Sequence, residues 1–176
     1  PENQPKIENL INLEAGYRYK GHNLMVNANV YYMHYKDQLV LTGQINDVGG
    51  YTRTNVDISH RAGLELEAGY RLTNKLSLTG NATLSNNEIK EFNEYVDNYD
   101  IGGQDTIAHT NSDLAFSPNI IASAGLKYEP LKGLNINFLG KHVGDQFLDN
   151  TSTETRKLNA YTTFNLQVNY TVKDVL

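Results

Sequence analysis

His34, His60 and His142 are the side chains in this chain best suited to bind a metal ion or move a proton near neutral pH. Each shares the parity of the apolar residues in its own alternating stretch and lies near the end of that stretch. If the segments holding His34 and His60 pair across the loop centred near Asp47, the two become close neighbours. Histidines at the border of an apolar face serve more often as interface residues than as ligands, so no metal and no cofactor is expected. There is no G-x-S-x-G and no phosphate-binding glycine loop; Gly49–Gly50 and Gly102–Gly103 suit turns. No Ser/His pair stands out, so no catalytic residue is assigned and an enzyme is the least favoured reading.

Charged side chains offer binding rather than reaction. The stretch "VDISHRAGLELEAGYRL" sets Val56, Ile58, His60, Ala62, Leu64, Leu66, Ala68, Tyr70 and Leu72 against polar or glycine residues at every intervening position. A two-residue period means a strand with one wet face and one apolar face. Asp57, Arg61, Glu65, Glu67 and Arg71 therefore share the wet face, where cross-strand ion pairs in a solvated interior are favoured over a ligand track. In "TGQINDVGGYTRT", Tyr51 and Arg53 combine an aromatic ring and a cation suited to an anionic ligand, and are the expected substrate contacts. From 88 to 118, Glu88, Glu91, Glu94, Asp97, Asp100, Asp105 and Asp113 stand against Lys90. Without the regular spacing of a calcium loop, this reads as a flexible solvated loop.

These residues need elements to carry them. Seven strands are expected, at approximately 7–20, 23–41, 55–72, 75–87, 119–128, 134–143 and 158–172, with no convincing helix. Short links alternate strictly with long ones at about 42–54, 88–118 and 144–157, so all short turns fall at one end of the sheet. Strands in soluble domains run to about 5–6 residues, whereas a tilted membrane-crossing strand needs about 9–11. Tyr17, Tyr19, Tyr70, Tyr128 and Tyr170 stand at the short-turn end of the apolar face and Tyr32 towards the other end. An aromatic ring with a polar hydroxyl suits the membrane–water boundary, so these six read as a membrane girdle.

The expected fold class is thus all-β: an antiparallel up-and-down meander, a segment of a transmembrane β-barrel with its wet face towards the lumen. A mean hydropathy of −0.51 agrees, because only half of each strand has to be apolar. Seven strands leave two raw edges, which lipid does not tolerate, so a larger barrel is expected around them. The net charge of −5 argues against nucleic acid. No apolar run reaches the roughly 18 residues of a membrane helix, and the first residues lack a signal-peptide pattern.

Five strings in order, "YYMHYKDQLVLTG", "NVDISHRAGLELE", "LSLTGNATLSNNEI", "SPNIIASAGLKYEP" and "GKHVGDQFLDNT", resemble TonB-dependent outer-membrane receptors. The resemblance runs from about Pro5 to Tyr170 and matches the C-terminal portion of a plugged barrel of about 22 strands. It implies an outer-membrane location in a Gram-negative bacterium and active uptake of a scarce solute of the ferric siderophore, haem or cobalamin class. The implied partners are outer-membrane lipid, a plug domain and the remaining barrel strands, TonB through the plug, and a small-molecule nutrient. Two readings of the residues stay open beside it: a plug-less channel or adhesion barrel, and a soluble β-sandwich that binds carbohydrate. The sandwich predicts shorter strands with scattered aromatics.

Overall fold

The computed structural model describes residues 4–45, 50–100 and 102–172. The expected meander is present, with β1 (Asn9–Lys20), β2 (Leu24–Ile45), β3 (Tyr51–Arg71), β4 (Leu76–Asn98), β6 (Ile120–Tyr128), β7 (Leu134–Val143) and β10 (Tyr161–Tyr170) side by side in that order. β5 (Gly103–Asp113) pairs with the far half of β4, and β8 (Gln146–Phe147) with β9 (Lys157–Leu158) in a separate ribbon. Every pairing is antiparallel. The described residues hold no α-helix, only a 3₁₀ turn at Glu154–Arg156.

Tight links join β1 to β2, β3 to β4 and β6 to β7. Gly133 closes the last of these with φ 90°, and a Cβ there would lie 2.8 Å from the Thr171 carbonyl oxygen. Only glycine enters that conformation without cost.

Cross-strand partners share a face, and the pairing sorts the sequence into two. One row runs Tyr17–Ala28–Leu66–Ala82–Ala122–His142–Thr162 across seven strands. It starts near the short-turn end of β1 and reaches the long-loop end of β7, so the strands are staggered. A sheet that closes into a barrel needs that stagger. The opposite face carries Arg18, Asn27, Glu67 and Asn81 in register.

Neither face is covered over most of the sheet. The accessible area is 12524 Å², where a compact chain of 19.8 kDa would expose about 8,600 Å². Among the described residues the second sheet is only the two-residue-per-strand β8–β9 ribbon, too small to be the other half of a sandwich, which removes the β-sandwich alternative. The buried cluster of Val40, Val56, Ile89, Phe92 and Leu114 sits entirely at the long-loop end.

That cluster corrects the simple alternation. Val56 has the parity of the apolar face, yet it is only 4% exposed and packs with Ile89. Ile89 is the register partner of Ser59, on the polar face. The phase of β3 therefore changes between Val56 and Ser59. Neighbouring strands change with it: Asp37 in β2 and Asn111 in β5 take positive φ values of 58° and 51°. In β4 the buried positions switch from Asn87 and Ile89 to Phe92 and Glu94. Asp and Asn enter this backbone region more readily than other residues with a side chain. Asn55 fixes the kink, donating from its amide to the Asp37 carbonyl at 2.6 Å and accepting from the Lys6 amide at 2.8 Å.

The long loops differ from expectation in the same region. The stretch from 88 to 118 is mostly a hairpin: β4 continues to Asn98, turns through Gly102 at φ 71°, and returns as β5. β2 and β3 extend to Ile45 and Tyr51, which leaves only a short connection in place of 42–54. The third loop holds β8, the 3₁₀ turn and β9.

Candidate functional site

"LDNTSTETRK" is dense in short polar residues that bond to nearby backbone, a composition that fixes turns. Asp149 accepts from the Thr151 amide at 3.1 Å and from its hydroxyl at 2.6 Å. The folded segment 144–157 lies over the polar face and is pinned at four places. Asn150 donates to the Leu41 carbonyl at 3.0 Å and accepts from the Ala115 amide at 2.8 Å. Ser152 accepts from the Asp113 amide at 2.7 Å and donates to the Asp113 carboxylate at 2.9 Å. The Phe116 amide donates to the Phe147 carbonyl at 2.9 Å. Arg156 donates to Asp149 at 2.9 Å and to Glu94, whose other oxygen meets His109 at 2.9 Å.

Glu94 is the centre of this network and is only 8% exposed. Burial alone pushes its carboxyl up. The hydrogen bonds and charges of Arg156 and His109 outweigh burial and hold it below its ordinary value. Burial likewise raises Asp149, while Thr151 and Arg156 bring it below its ordinary value. Hydrogen bonds from Arg156 to the two carboxylates raise the guanidinium in turn. Beside the network is a cavity of about 540 Å³, lined among others by Leu41, Glu94, Val96, Phe116, Leu148 and Arg156.

The residues singled out in the sequence fall elsewhere. Tyr51 opens β3 opposite Ile45, but its side chain lies outside the described residues. Arg53 is exposed opposite Leu41 and does not line the cavity. Glu65 and Glu67 lie on the polar face, where Asn29 donates to Glu65 at 3.2 Å and Asn27 to Glu67 at 2.7 Å. Arg18 completes the second chain by donating to Asn27 at 2.9 Å. Arg61 donates to Asn87 and, at 3.1 Å, to Ser117, and Arg71 pairs in register with Ser77. Asparagine amides, rather than the expected ion pairs, meet Glu65 and Glu67. Asp57 sits at the phase change, exposed, lining a smaller cavity with Glu91 and His109.

Tyr17, Tyr19, Tyr32, Tyr70, Tyr128 and Tyr170 are all exposed on the apolar face. Tyr31 and Tyr35, which alternate with Tyr32, point to the other side; the Tyr31 ring covers Gly63, where a Cβ would lie 2.6 Å from it. His34 and His60 are direct register partners, each stacked on Tyr32 at centroid distances of 6.5 and 6.2 Å. His142 meets Thr162 at 3.0 Å. No group of three or more His, Asp or Glu among the described residues is arranged to hold a metal ion.

Sequence reasoning missed Glu94, His109, Asn150 and Arg156 as members of one site. The density of Asp, Asn and Thr after Leu148 was a usable signal for a fixed turn. Nothing local tied that turn to Glu94, which is 62 positions from Arg156.

Residues 4–176 match the family model described as TonB dependent receptor-like, beta-barrel. Among solved structures, a copper transporter, OprC, is 20% identical with a TM-score of 0.70, over 97% of this chain and 24% of that one. The ferric yersiniabactin uptake receptor FyuA from Yersinia pestis is 20% identical with a TM-score of 0.65, over 93% of this chain and 22% of that one. The siderophore receptor PiuA from Acinetobacter baumannii is 16% identical with a TM-score of 0.67, over 94% and 22%. The chain thus spans about a quarter of the length of the structures it matches. These are receptors and transporters, not enzymes, and the family's members are outer-membrane barrels of Gram-negative bacteria that take up small nutrients. An antiparallel staggered meander with one exposed apolar face, matched by the family model over nearly its whole length, identifies this chain as belonging to the TonB-dependent receptor-like β-barrel family.

Proposed function

We propose that this chain forms part of the barrel wall of an outer-membrane receptor for active uptake of a scarce small nutrient, of the ferric siderophore, haem or cobalamin class. A plug domain inside the completed barrel would couple it to TonB. The exposed apolar face carries this reading. From Tyr70 to the His34–His60 pair, β3 advances ten residues. At about 3.3 Å per residue and a tilt near 45°, that is about 23 Å of height, against the roughly 25 Å apolar band of outer-membrane barrels.

In this reading Tyr17, Tyr19, Tyr70, Tyr128 and Tyr170 mark one membrane boundary and Tyr32, with the two histidines, the other. Arg61, Glu65, Glu67 and Arg71 face the lumen, and Asp57 stands where the strands leave the bilayer. The cavity under segment 144–157 then opens in the outer vestibule, and Arg53 lies at its periphery with Tyr51.

Leu66 and Glu67 test the sidedness, since they are adjacent and occupy opposite faces. In the full-length receptor folded into lipid vesicles, Leu66→Arg is expected to cost about 2–4 kcal/mol of folding free energy and Glu67→Arg much less. Equal costs at the two positions would remove the lipid-facing assignment.

A further inference from the structure

We infer that the cavity beneath segment 144–157 takes an organic ligand that pairs an apolar or aromatic face with a cationic group, and disfavours anionic ligands. This rests on the receptor reading above and, within it, favours cationic chelates over anionic ones such as haem.

Three observations carry it. The first is the lining: Leu41, Val96, Phe116 and Leu148 come from four separate segments and expose apolar side chains around one void of about 540 Å³. They do so on a face that elsewhere presents Asn, Gln, Ser, Thr and charge. The volume is within the roughly 300–1,000 Å³ of small-molecule sites.

The second is Phe116, which has φ 53° and is 60% exposed. A bulky residue rarely takes this conformation, and such strain persists only where the surroundings impose it. Here the Phe116 amide is tied to Phe147 at 2.9 Å and the preceding amide to Asn150 at 2.8 Å. The backbone thus sets the ring against the cavity instead of letting it collapse.

The third is charge. Glu94, Asp97 and Asp149 line the cavity, where Arg156 is the one cation among the described lining residues. Arg156 donates to Glu94 and Asp149, and His109 meets Glu94 from outside the lining. Among the described residues Asp97 accepts only from the neutral Gln104 amide at 2.7 Å, so negative charge stays in excess. An anion entering here meets surplus negative charge. A cation gains both from the carboxylates and from the exposed Phe116 ring.

The test uses the full-length receptor in lipid nanodiscs and two probes with the same ring, 1-naphthylmethylamine and 1-naphthoate. The amine is expected to bind saturably and about tenfold more tightly than the carboxylate. Phe116→Gly keeps a residue suited to positive φ while removing the ring, and is expected to weaken the amine about fivefold. Asp97→Asn leaves the Glu94–Arg156 pair intact and should shrink the amine's preference. Equal binding of the two probes, or amine binding unchanged in Phe116→Gly, overturns the inference. Should the receptor insert with the expected Leu66/Glu67 asymmetry yet bind neither probe, the cavity belongs to internal packing and the inference alone falls. Saturable, Phe116-dependent amine binding without that asymmetry would sustain the cavity assignment and remove the receptor reading.

Discussion

Asn150 contributes a single amide to the long-loop end, yet that amide donates to the Leu41 carbonyl at 3.0 Å and accepts from the Ala115 amide at 2.8 Å. Asn150→Ala would remove a partner from both backbone groups in a half-buried setting, at a cost of about 1 kcal/mol. Hydrogen exchange at the Ala115 amide is the direct readout and should accelerate, while amides in the β1–β2 hairpin stay unchanged. Glu94 and Asp149 give the same region a pH dependence. Both carboxyls are held below their ordinary values of 4.5 and 3.8. The folded state thus binds protons less readily than the unfolded one. The stabilisation is fully present above those values and lost as pH falls through the lowered ones. Segment 144–157 should therefore become protease-sensitive in acid before the strands do, and Glu94→Gln should bring that sensitivity to neutral pH.

At the scale of the elements, the phase change across β2, β3 and β4 decides which side chains the long-loop end buries and which it exposes. Val56 and Ile58 look equivalent in the alternating pattern, but Val56 is buried with Ile89 and Phe92 while Ile58 is 37% exposed. Val56→Asp is expected to cost about 3 kcal/mol or more, because it buries a carboxylate without a partner. Ile58→Asp should stay under about 1 kcal/mol; equal costs, measured by chemical denaturation in detergent, would contradict the change of phase. The strands below this line were legible because a single period of two ran through them unbroken. Above it, Asp37 and Asn111 at positive φ break the period without any insertion that a pattern would reveal. The acidic composition from Glu88 to Asp113 also hid a hairpin in which the β-formers Tyr95 and Thr106 pair directly, flanked by Val96 opposite Asp105 and Ile107 opposite Glu94.

In the molecule as a whole, the described strands form one main sheet with an exposed apolar face and the small β8–β9 ribbon beside it. The accessible area of 12524 Å² far exceeds the roughly 8,600 Å² of a compact chain of this mass. Exposed apolar patches beyond a few hundred Å² drive association in water. The 176-residue chain by itself is accordingly expected to self-associate in plain buffer and to disperse in detergent, as read by size-exclusion chromatography with light scattering. A monodisperse 19.8 kDa species without detergent would count against a lipid-facing surface.

Which residues alternate, where the short turns lie and which tyrosines stand at their ends are local properties, and the sequence alone determined them. Parity is set by the pleat, and the tight links need only a few residues to turn. From those followed the meander and the two faces, while the family resemblance came from the five strings themselves. The network at the long-loop end was decided by tertiary structure. Glu94 joins Arg156 across 62 residues and Asn150 joins Leu41 across 109. Such pairings have no signature in spacing or composition. They exist because the staggered register carries the β4–β5 hairpin and segment 144–157 to the same end of the sheet. There, burial makes each unpaired amide or carboxylate too costly to leave unmet.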